Sequence, residues 1–250
     1  MKKLLVILML LISNVCFSQV NIETIRNKNK DKSVWGEVKG GLELQRGNVD
    51  ITAFDADVLV HLKKEKHHTF LQTKASQGRQ SGSKFKNNSF AHARWTWMYW
   101  QYLGCELFTQ IQQDEFKSLN IRQLNGFGLR SEIFQLKNLS LSIGTGAMSD
   151  HEVLSNKTQS TVIRSTSYIT AAKSFDESNK NLILLTIYCQ PLFNNHKDYR
   201  INLEANVRTI LISSWNISID NSINFMYDTK PPEGVLTNDL VIKTKLVYSW

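Results

Sequence analysis

The chain has 250 residues, with 30 Lys and Arg against 22 Asp and Glu, and 42% of its residues are hydrophobic. This modest positive balance calls for no nucleic-acid partner. Beyond the first residues, no run approaches the roughly 18 apolar residues of a membrane-spanning helix, which excludes a helical membrane protein. After residue 18 only Cys105 and Cys189 remain, too few for a small scaffold held together by disulfides.

The N-terminus has the pattern of a secretory signal peptide. Two lysines precede the apolar run 4–12, and a small residue, Ser18, precedes Gln19. Residues 1–18 are therefore predicted to be cleaved on export. Residues 19–32 are polar and rich in Lys and Asn, which predicts a flexible periplasmic segment before the folded domain.

From Val34 onward, apolar and polar residues alternate in successive stretches. This is the pattern of a β-strand with one face in an apolar medium and the other in water. In the last stretch the apolar face consists of Trp250, Tyr248, Leu246, Thr244, Ile242 and Leu240. About twelve such strands cover residues 33–250, each near the roughly 9–11 residues that cross a membrane at a tilt. The prediction is an all-β fold, an antiparallel up-and-down transmembrane β-barrel of about twelve strands.

The predicted connections between strands indicate how this barrel is oriented. Those after strands two, four, six, eight and ten are short, whereas those after three, five, seven and eleven are longer, among them residues 77–88 and 150–159. Short periplasmic turns that alternate with longer outer loops are typical of outer-membrane barrels, so both chain ends are predicted in the periplasm. With the signal peptide, this predicts a protein of the outer membrane of a Gram-negative bacterium.

Aromatic residues indicate two kinds of partner. Trp95, Trp97, Tyr99 and the nearby Trp100 cluster at one strand end, as in the aromatic girdle at a membrane interface, which predicts contact with outer-membrane lipid. The alternative is an exported soluble β-sandwich that buries these rings against a second sheet. The final strand, which stops on Trp250, looks like the C-terminal signal read by the barrel-assembly machinery.

Several local motifs point to one family. In chain order they are Gly47-Asn48; Asp114-x-Phe116-x-x-Leu119-x-x-Arg122 followed by Gly126-x-Gly128; Gly144-Thr145-Gly146 with Glu152; and Asp228 with Pro231-Pro232. Together they resemble the family called domain of unknown function 481, described as salt-induced outer membrane proteins, over about residues 34–250. The resemblance implies an outer-membrane location and no established chemistry. Its most specific part is a motif loop with Asp114, Phe116, Arg122, Gly126 and Gly128.

Charged residues are plentiful at the inward positions of the predicted strands. Those predicted to line the lumen are Glu37, Lys39, Glu43, Asp55, Asp57, Arg94, Glu106, Arg122, Arg130, Glu132, Arg164, Arg200, Glu204, Arg208, Lys243 and Lys245. One interpretation is a narrow channel for ions or small polar solutes, whose selectivity these charges set. The other is a non-conducting structural or adaptor barrel, because charges of mixed sign can satisfy each other and fill the lumen.

Other kinds of chemistry find little support in the sequence. The six histidines are scattered without the spacing of metal ligands, so neither a metal nor a cofactor is predicted. The nearest serine and histidine, Ser89 and His92, fall on opposite faces of one strand, so no enzyme is predicted. Asp114 and Arg122 flank one hairpin loop and are predicted to fix it by hydrogen bonds or an ion pair.

Overall fold

The computed structural model describes residues 33–46, 50–176 and 181–250. Within these ranges twelve antiparallel strands close into one barrel, and each strand pairs with its neighbours in the sequence. The predicted all-β, up-and-down barrel of about twelve strands is confirmed, and the closed sheet contradicts the β-sandwich alternative. The predicted signal peptide (1–18), the segment 19–32 and the turn at Gly47-Asn48 lie outside the described residues.

The strands are longer and more regular than their connections. They are β1 Val34–Gln45, β2 Ile51–Lys64, β3 His67–Gln80, β4 Ser83–Met98, β5 Leu103–Asp114, β6 Leu119–Gln135, β7 Leu139–Leu154, β8 Gln159–Ser174, β9 Leu182–Cys189, β10 Arg200–Ile212, β11 Ile217–Asp228 and β12 Asn238–Ser249. Short 3-10 helices, Glu115–Lys117 and Ser213–Trp215, follow β5 and β10. In the part of the chain that is described, no helix is long and apolar enough to cross a membrane.

Alternation along the strands gives the barrel an apolar exterior and a polar interior. On the outside, large apolar side chains such as Leu42, Phe127 and Ile242 are more than half exposed, at 69%, 63% and 69%. An outward polar residue finds a partner on the next strand: the Thr109 hydroxyl donates to the Asn125 side chain at 2.8 Å. This pair accounts for Asn125, which interrupts the apolar face of β6.

The predicted lengths of the connections are partly wrong. β3 and β4 continue through the predicted loop 77–88 and are joined by Ser81 and Gly82 alone. Both residues have positive φ (47° and 83°), as a two-residue hairpin turn of type I′ requires. β7 and β8 likewise extend into residues 150–159. A composition rich in Gly, Ser and Lys indicates a turn, but it does not show how far the flanking strands continue.

The two ends of the barrel differ in their connections. We call the end that holds the start of β1 and the finish of β12 the terminal end, and the opposite one the far end. The long connections 190–199 and 229–237 are both at the far end, after β9 and β11. The other connections at this end that are described completely are short, so the far end is shielded mainly on the β9–β12 side.

The seam between β1 and β12 closes the barrel with few residue pairs. Only residues 37–40 of β1 pair with residues 246–249 of β12. Every other pair of neighbouring strands is matched over at least eight residues, as in β8–β9 and β9–β10. Below the seam, the Trp250 ring covers Gly36, where a Cβ would come within 2.3 Å of the ring. The Trp250 amide also donates to the Gly36 carbonyl at 3.1 Å.

Candidate functional site

The sixteen side chains predicted to line the lumen all lie at inward positions of their strands. Fifteen of them are buried or half-buried, and Glu43, near the far end of β1, is exposed. They are not spread evenly along the wall. Most of them meet in four groups of ion pairs, and each group recruits partners that sequence patterns alone did not single out.

The first group, the Asp150 cluster, lies towards the far end. It consists of Asp150, Arg122, Arg164, Arg200, Glu152, Asp198 and Asp228. Asp150 is 1% exposed and accepts hydrogen bonds from three arginines. The distances are 2.9 and 3.0 Å from Arg122, 3.1 Å from Arg164 and 2.7 Å from Arg200. One carboxylate therefore holds together strands β6, β8 and β10 from its own position on β7.

The second group, the Glu106 cluster, lies in the half nearer the terminal end. Arg94 donates to Glu106 at 3.1 Å, and the Tyr168 hydroxyl donates to the same carboxylate at 2.8 Å. That hydroxyl accepts from Arg130 at 2.8 Å, and Arg130 also binds Glu132 at 2.8 Å. Since Tyr168 is on β8 and Glu106 on β5, this contact bridges two intervening strands.

Inward glycines on β6 and β7 make room for the Glu106 cluster. A Cβ at Gly126 would lie 2.2 Å from the Phe108 ring, and one at Gly144 would lie 2.3 Å from the Tyr168 ring. The glycines thus allow two aromatic rings to lie flat against the wall. The resulting position of Tyr168 brings its hydroxyl to Glu106, so the glycines serve the geometry of the cluster.

The third group joins both sides of the closing seam. Arg208 on β10 donates to Glu37 on β1, with one contact of 2.8 Å, and to Asp220 on β11 at 3.1 Å. Lys39 on β1 pairs with Asp220 as well. Arg208, Glu37 and Asp220 are at most 3% exposed. Because β1 and β10 are separated by two strands, the Arg208–Glu37 pair spans part of the interior near the terminal end.

The fourth group is rich in lysine and lies beside the β1–β12 seam. Asp55 accepts from Lys243 at 2.6 Å and from Lys86 at 2.7 Å. Lys245 approaches Asp57 to 3.9 Å, at the limit of an ion pair. The pairs of Lys243 and Lys245 join β12 to β2 across β1, and the Lys86 pair joins β4 to β2 across β3. All three lie on the interior face of the wall.

The motif loop after β5 is built differently from the prediction. Asp114 caps the helix Glu115–Lys117 by accepting from the Phe116 amide at 3.1 Å. Arg122 takes no part in fixing the loop, because its guanidinium belongs to the Asp150 cluster. Predicting that both residues fix the loop was therefore right for Asp114 and wrong for Arg122. Phe116 is half-exposed, and the exposed Glu115 has a lowered pKa because Asn87 and Lys84 donate to its carboxylate.

Two neighbouring cavities occupy the far half of the barrel. The inner one, of about 280 Å³, is lined by polar residues from opposite walls, among them Lys39, Gln110 and Asn224. The other, of about 690 Å³, lies by the β1–β12 seam and shares Lys243 and Lys245 with the first. The far half of the interior therefore holds two neighbouring cavities that share charged lining residues.

Comparison with known proteins decides the family. A family model described as "Protein of unknown function, DUF481" matches residues 38–250. The chain belongs to the DUF481 family. The predicted family is thereby confirmed. A search of curated proteins finds no match.

Solved structures similar to this DUF481 barrel have low sequence identity to it. The NanC porin is 7% identical, with a TM-score of 0.48 over 86% of this chain and 97% of that chain. A bacterial polysaccharide outer membrane secretin is 8% identical, with a TM-score of 0.48 over 87% and 98%. The translocator domain of the autotransporter NalP from Neisseria meningitidis is 9% identical, with a TM-score of 0.45 over 91% and 92%.

Sequence reasoning missed several members of the DUF481 clusters. Asp150 and Glu152 were assigned to a loop, although they continue the inward positions of Gly144, Gly146 and Met148 on β7. Extending that alternation would have found them. Tyr168 carried no signal of its own, because an inward tyrosine is equally compatible with packing alone. In the described ranges, no three His, Cys, Asp or Glu residues are grouped as a metal site requires.

Replacing Tyr168 by Phe tests the Glu106 cluster. The variant leaves the ring over Gly144 but removes the donor to Glu106 and the acceptor for Arg130, so we expect a loss of about 1–3 kcal/mol in unfolding free energy. Urea unfolding of the barrel in lipid vesicles measures it. The control is Tyr99→Phe, at a ring that is 53% exposed, with an expected change within about 0.5 kcal/mol. Equal changes for both variants would contradict the role given to Tyr168.

Proposed function

We propose that this DUF481 chain is an integral outer-membrane barrel that forms a narrow, water-filled channel for ions and small polar solutes. The proposal rests on two neighbouring cavities in the far half of the barrel, of about 280 and 690 Å³, which share the lining residues Lys243 and Lys245. An apolar exterior and a charged interior are what a channel in a membrane needs. We propose no catalytic role, no cofactor and no nucleic-acid partner.

The outer-membrane location is supported by the exterior of the barrel. At the terminal end Trp100 and Trp215 are exposed at 63% and 66%, and Tyr99 and Tyr102, which lie beside Trp100 in the β4–β5 connection, are also exposed. Exposed Trp and Tyr at the border of an apolar band are typical of a membrane interface. With a signal peptide at residues 1–18, the chain would be exported, the terminal end would face the periplasm and the far end would face outward.

The two clusters near the terminal end would form the narrowest part of the channel. The Arg208–Glu37 pair and the Tyr168–Glu106 contact each join strands that are not neighbours. Opposite charges held on the wall in this way leave a small polar passage and set which ions pass. This arrangement supports small conductance and selection by charge rather than passage of large molecules.

A second candidate, the non-conducting structural or adaptor barrel, is favoured by the same ion pairs. Arg94, Arg130 and Arg208 are each at most 2% exposed and bind carboxylates. If these pairs close the terminal half, the outer connections would provide the function. Conductance of the inserted barrel distinguishes the candidates.

Replacing Lys243 and Lys245 by Gln tests which charges govern passage. Both side chains line the two cavities, so we expect the cation-to-anion permeability ratio to rise by at least about sevenfold. A change of about kT in the local potential favours cations and disfavours anions by a factor of about e each. The reversal potential in a KCl gradient measures this. The control, Lys64→Gln with Lys173→Gln, changes two exposed lysines. An unchanged ratio in a conducting variant would show that the lysines do not line the path.

A further inference from the structure

The β1–β12 seam is open in the far half of the barrel. Its pairing stops at Gly40 and Leu246, although β1 continues to Gln45 and β12 begins at Asn238. Residues 41–45 use one edge to pair with β2, and residues 238–245 use one edge to pair with β11. Their other edges face each other without pairing. We call this unpaired stretch, between residues 41–45 and 238–245, the lateral opening. A Cβ at Gly41 would still lie 3.7 Å from the Thr244 carbonyl across it.

Two unpaired edges are unusual at membrane depth. Backbone groups there must be paired or reach water, because lipid offers no hydrogen bonds. The cavity of about 690 Å³ lies directly behind the lateral opening and is lined by Gly41 and Leu42 of one edge and Ile242 and Thr244 of the other. The edges thus border a polar cavity on the inside, while Leu42 and Ile242 remain 69% exposed on the outside.

The lining of this cavity combines apolar and charged surface, as a site for an amphipathic ligand would. Phe85, Phe116 and Leu236 provide apolar surface, and they are 39%, 49% and 80% exposed. The charged lining residues are balanced, with as many acidic as basic side chains, and pairs such as Lys243–Asp55 offer both signs at short range. A balanced set of charges suits a zwitterionic head group better than an anion or a cation.

We propose that the lateral opening is a port through which a zwitterionic phospholipid of the membrane reaches the interior. Its head group would lie among the paired charges of the cavity, and its acyl chains would pass between Leu42 and Ile242 into the bilayer. The inference requires the barrel to lie in a membrane, but it does not require conduction, so a silent barrel could still bind lipid and a conducting one could fail to.

Cysteine pairs test whether the seam is open. Continuing the register past Gly40 would pair Leu44 with Ile242, whereas Leu44 already pairs with Thr52 on β2. In a Cys105→Ser background, Leu44→Cys with Thr52→Cys should form a disulfide on oxidation, while Leu44→Cys with Ile242→Cys should stay reduced. Equal rates of crosslinking would show a closed seam and overturn the proposal.

Substitutions at two adjacent glycines, Gly40 and Gly41, test whether the cavity binds a lipid. A Cβ at Gly41 points to the cavity and would make ordinary contacts, at 3.7 Å, with the Asp55 side chain and the Thr244 carbonyl. A Cβ at Gly40 points outward and meets nothing within 4 Å. Native mass spectrometry with dimyristoyl phosphatidylethanolamine should show one retained lipid on the wild type and on Gly40→Phe. Gly41→Phe fills the cavity, so its retention should fall at least about tenfold.

Two results would overturn the lipid proposal. One is equal retention by Gly41→Phe and Gly40→Phe, and the other is no retained lipid on the wild type. Heat-dependent gel mobility shows that each variant is folded. Conductance of the same samples is read separately, so that failure of the port and failure of the channel are distinguishable.

Discussion

Replacing Asp150 by Asn is expected to lower the unfolding free energy of the barrel by roughly 3 kcal/mol, because it leaves buried arginines without their shared carboxylate. Asp150 is 1% exposed and accepts hydrogen bonds from Arg122, Arg164 and Arg200. An amide of the same shape carries no charge and has only one accepting atom. The loss is measured by urea unfolding in lipid vesicles, followed by tryptophan fluorescence.

The same substitution at an exposed pair provides the control. Asp239 pairs with Lys117, and the two side chains are 41% and 32% exposed. Asp239→Asn should therefore cost less than about 1 kcal/mol. If Asp150→Asn is as stable as Asp239→Asn, the Asp150 cluster does not hold the strands together, and the arginines must be solvated by water in the interior.

Deleting residues 248–250 is expected to abolish assembly of the barrel. The deletion removes two of the four residue pairs that join β12 to β1, Val38 with Tyr248 and Glu37 with Ser249. It also removes the Trp250 ring from Gly36 and the hydrogen bonds between their backbones. No other seam depends so strongly on so few residues. Heat-dependent gel mobility and recovery in the outer-membrane fraction measure the loss.

Trp250→Phe is the matched variant for this deletion. It keeps the backbone pairs and an aromatic ring at the end of the chain, so it should assemble at near wild-type levels. A truncated chain that inserts normally would refute the view that the last three residues close the seam, and would also count against the terminal strand as the assembly signal.

Strand alternation predicted the fold well because one physical rule applies along the whole chain. A lipid-facing exterior and a polar interior require period-two patterning in every strand, so the inward position of Glu37, Arg208 or Lys243 could be read directly. The predictions of loops at 77–88 and 150–159 were wrong because no comparable rule determines where a strand ends. Turn-forming residues such as Gly82 do not show how far the neighbouring strands extend.

Contacts across the interior could not be predicted from alternation. The pattern shows which face a residue occupies but not its height relative to a strand two or three positions away in the sheet. Arg208 meets Glu37 only because the barrel closes with the register that the β1–β12 pairs determine. The lateral opening was equally hidden, since β12 has the same alternation through its paired and its unpaired residues.

Single-channel conductance of refolded residues 19–250 in a planar bilayer tests whether the interior of the barrel conducts ions. We predict small, discrete and reproducible current steps, with an ion selectivity that changes in the Lys243→Gln, Lys245→Gln variant. Absence of current from a barrel shown to be inserted by protease protection and gel mobility would contradict the proposed channel. It would mean that the Glu106 cluster and the Arg208–Glu37 pair close the terminal half.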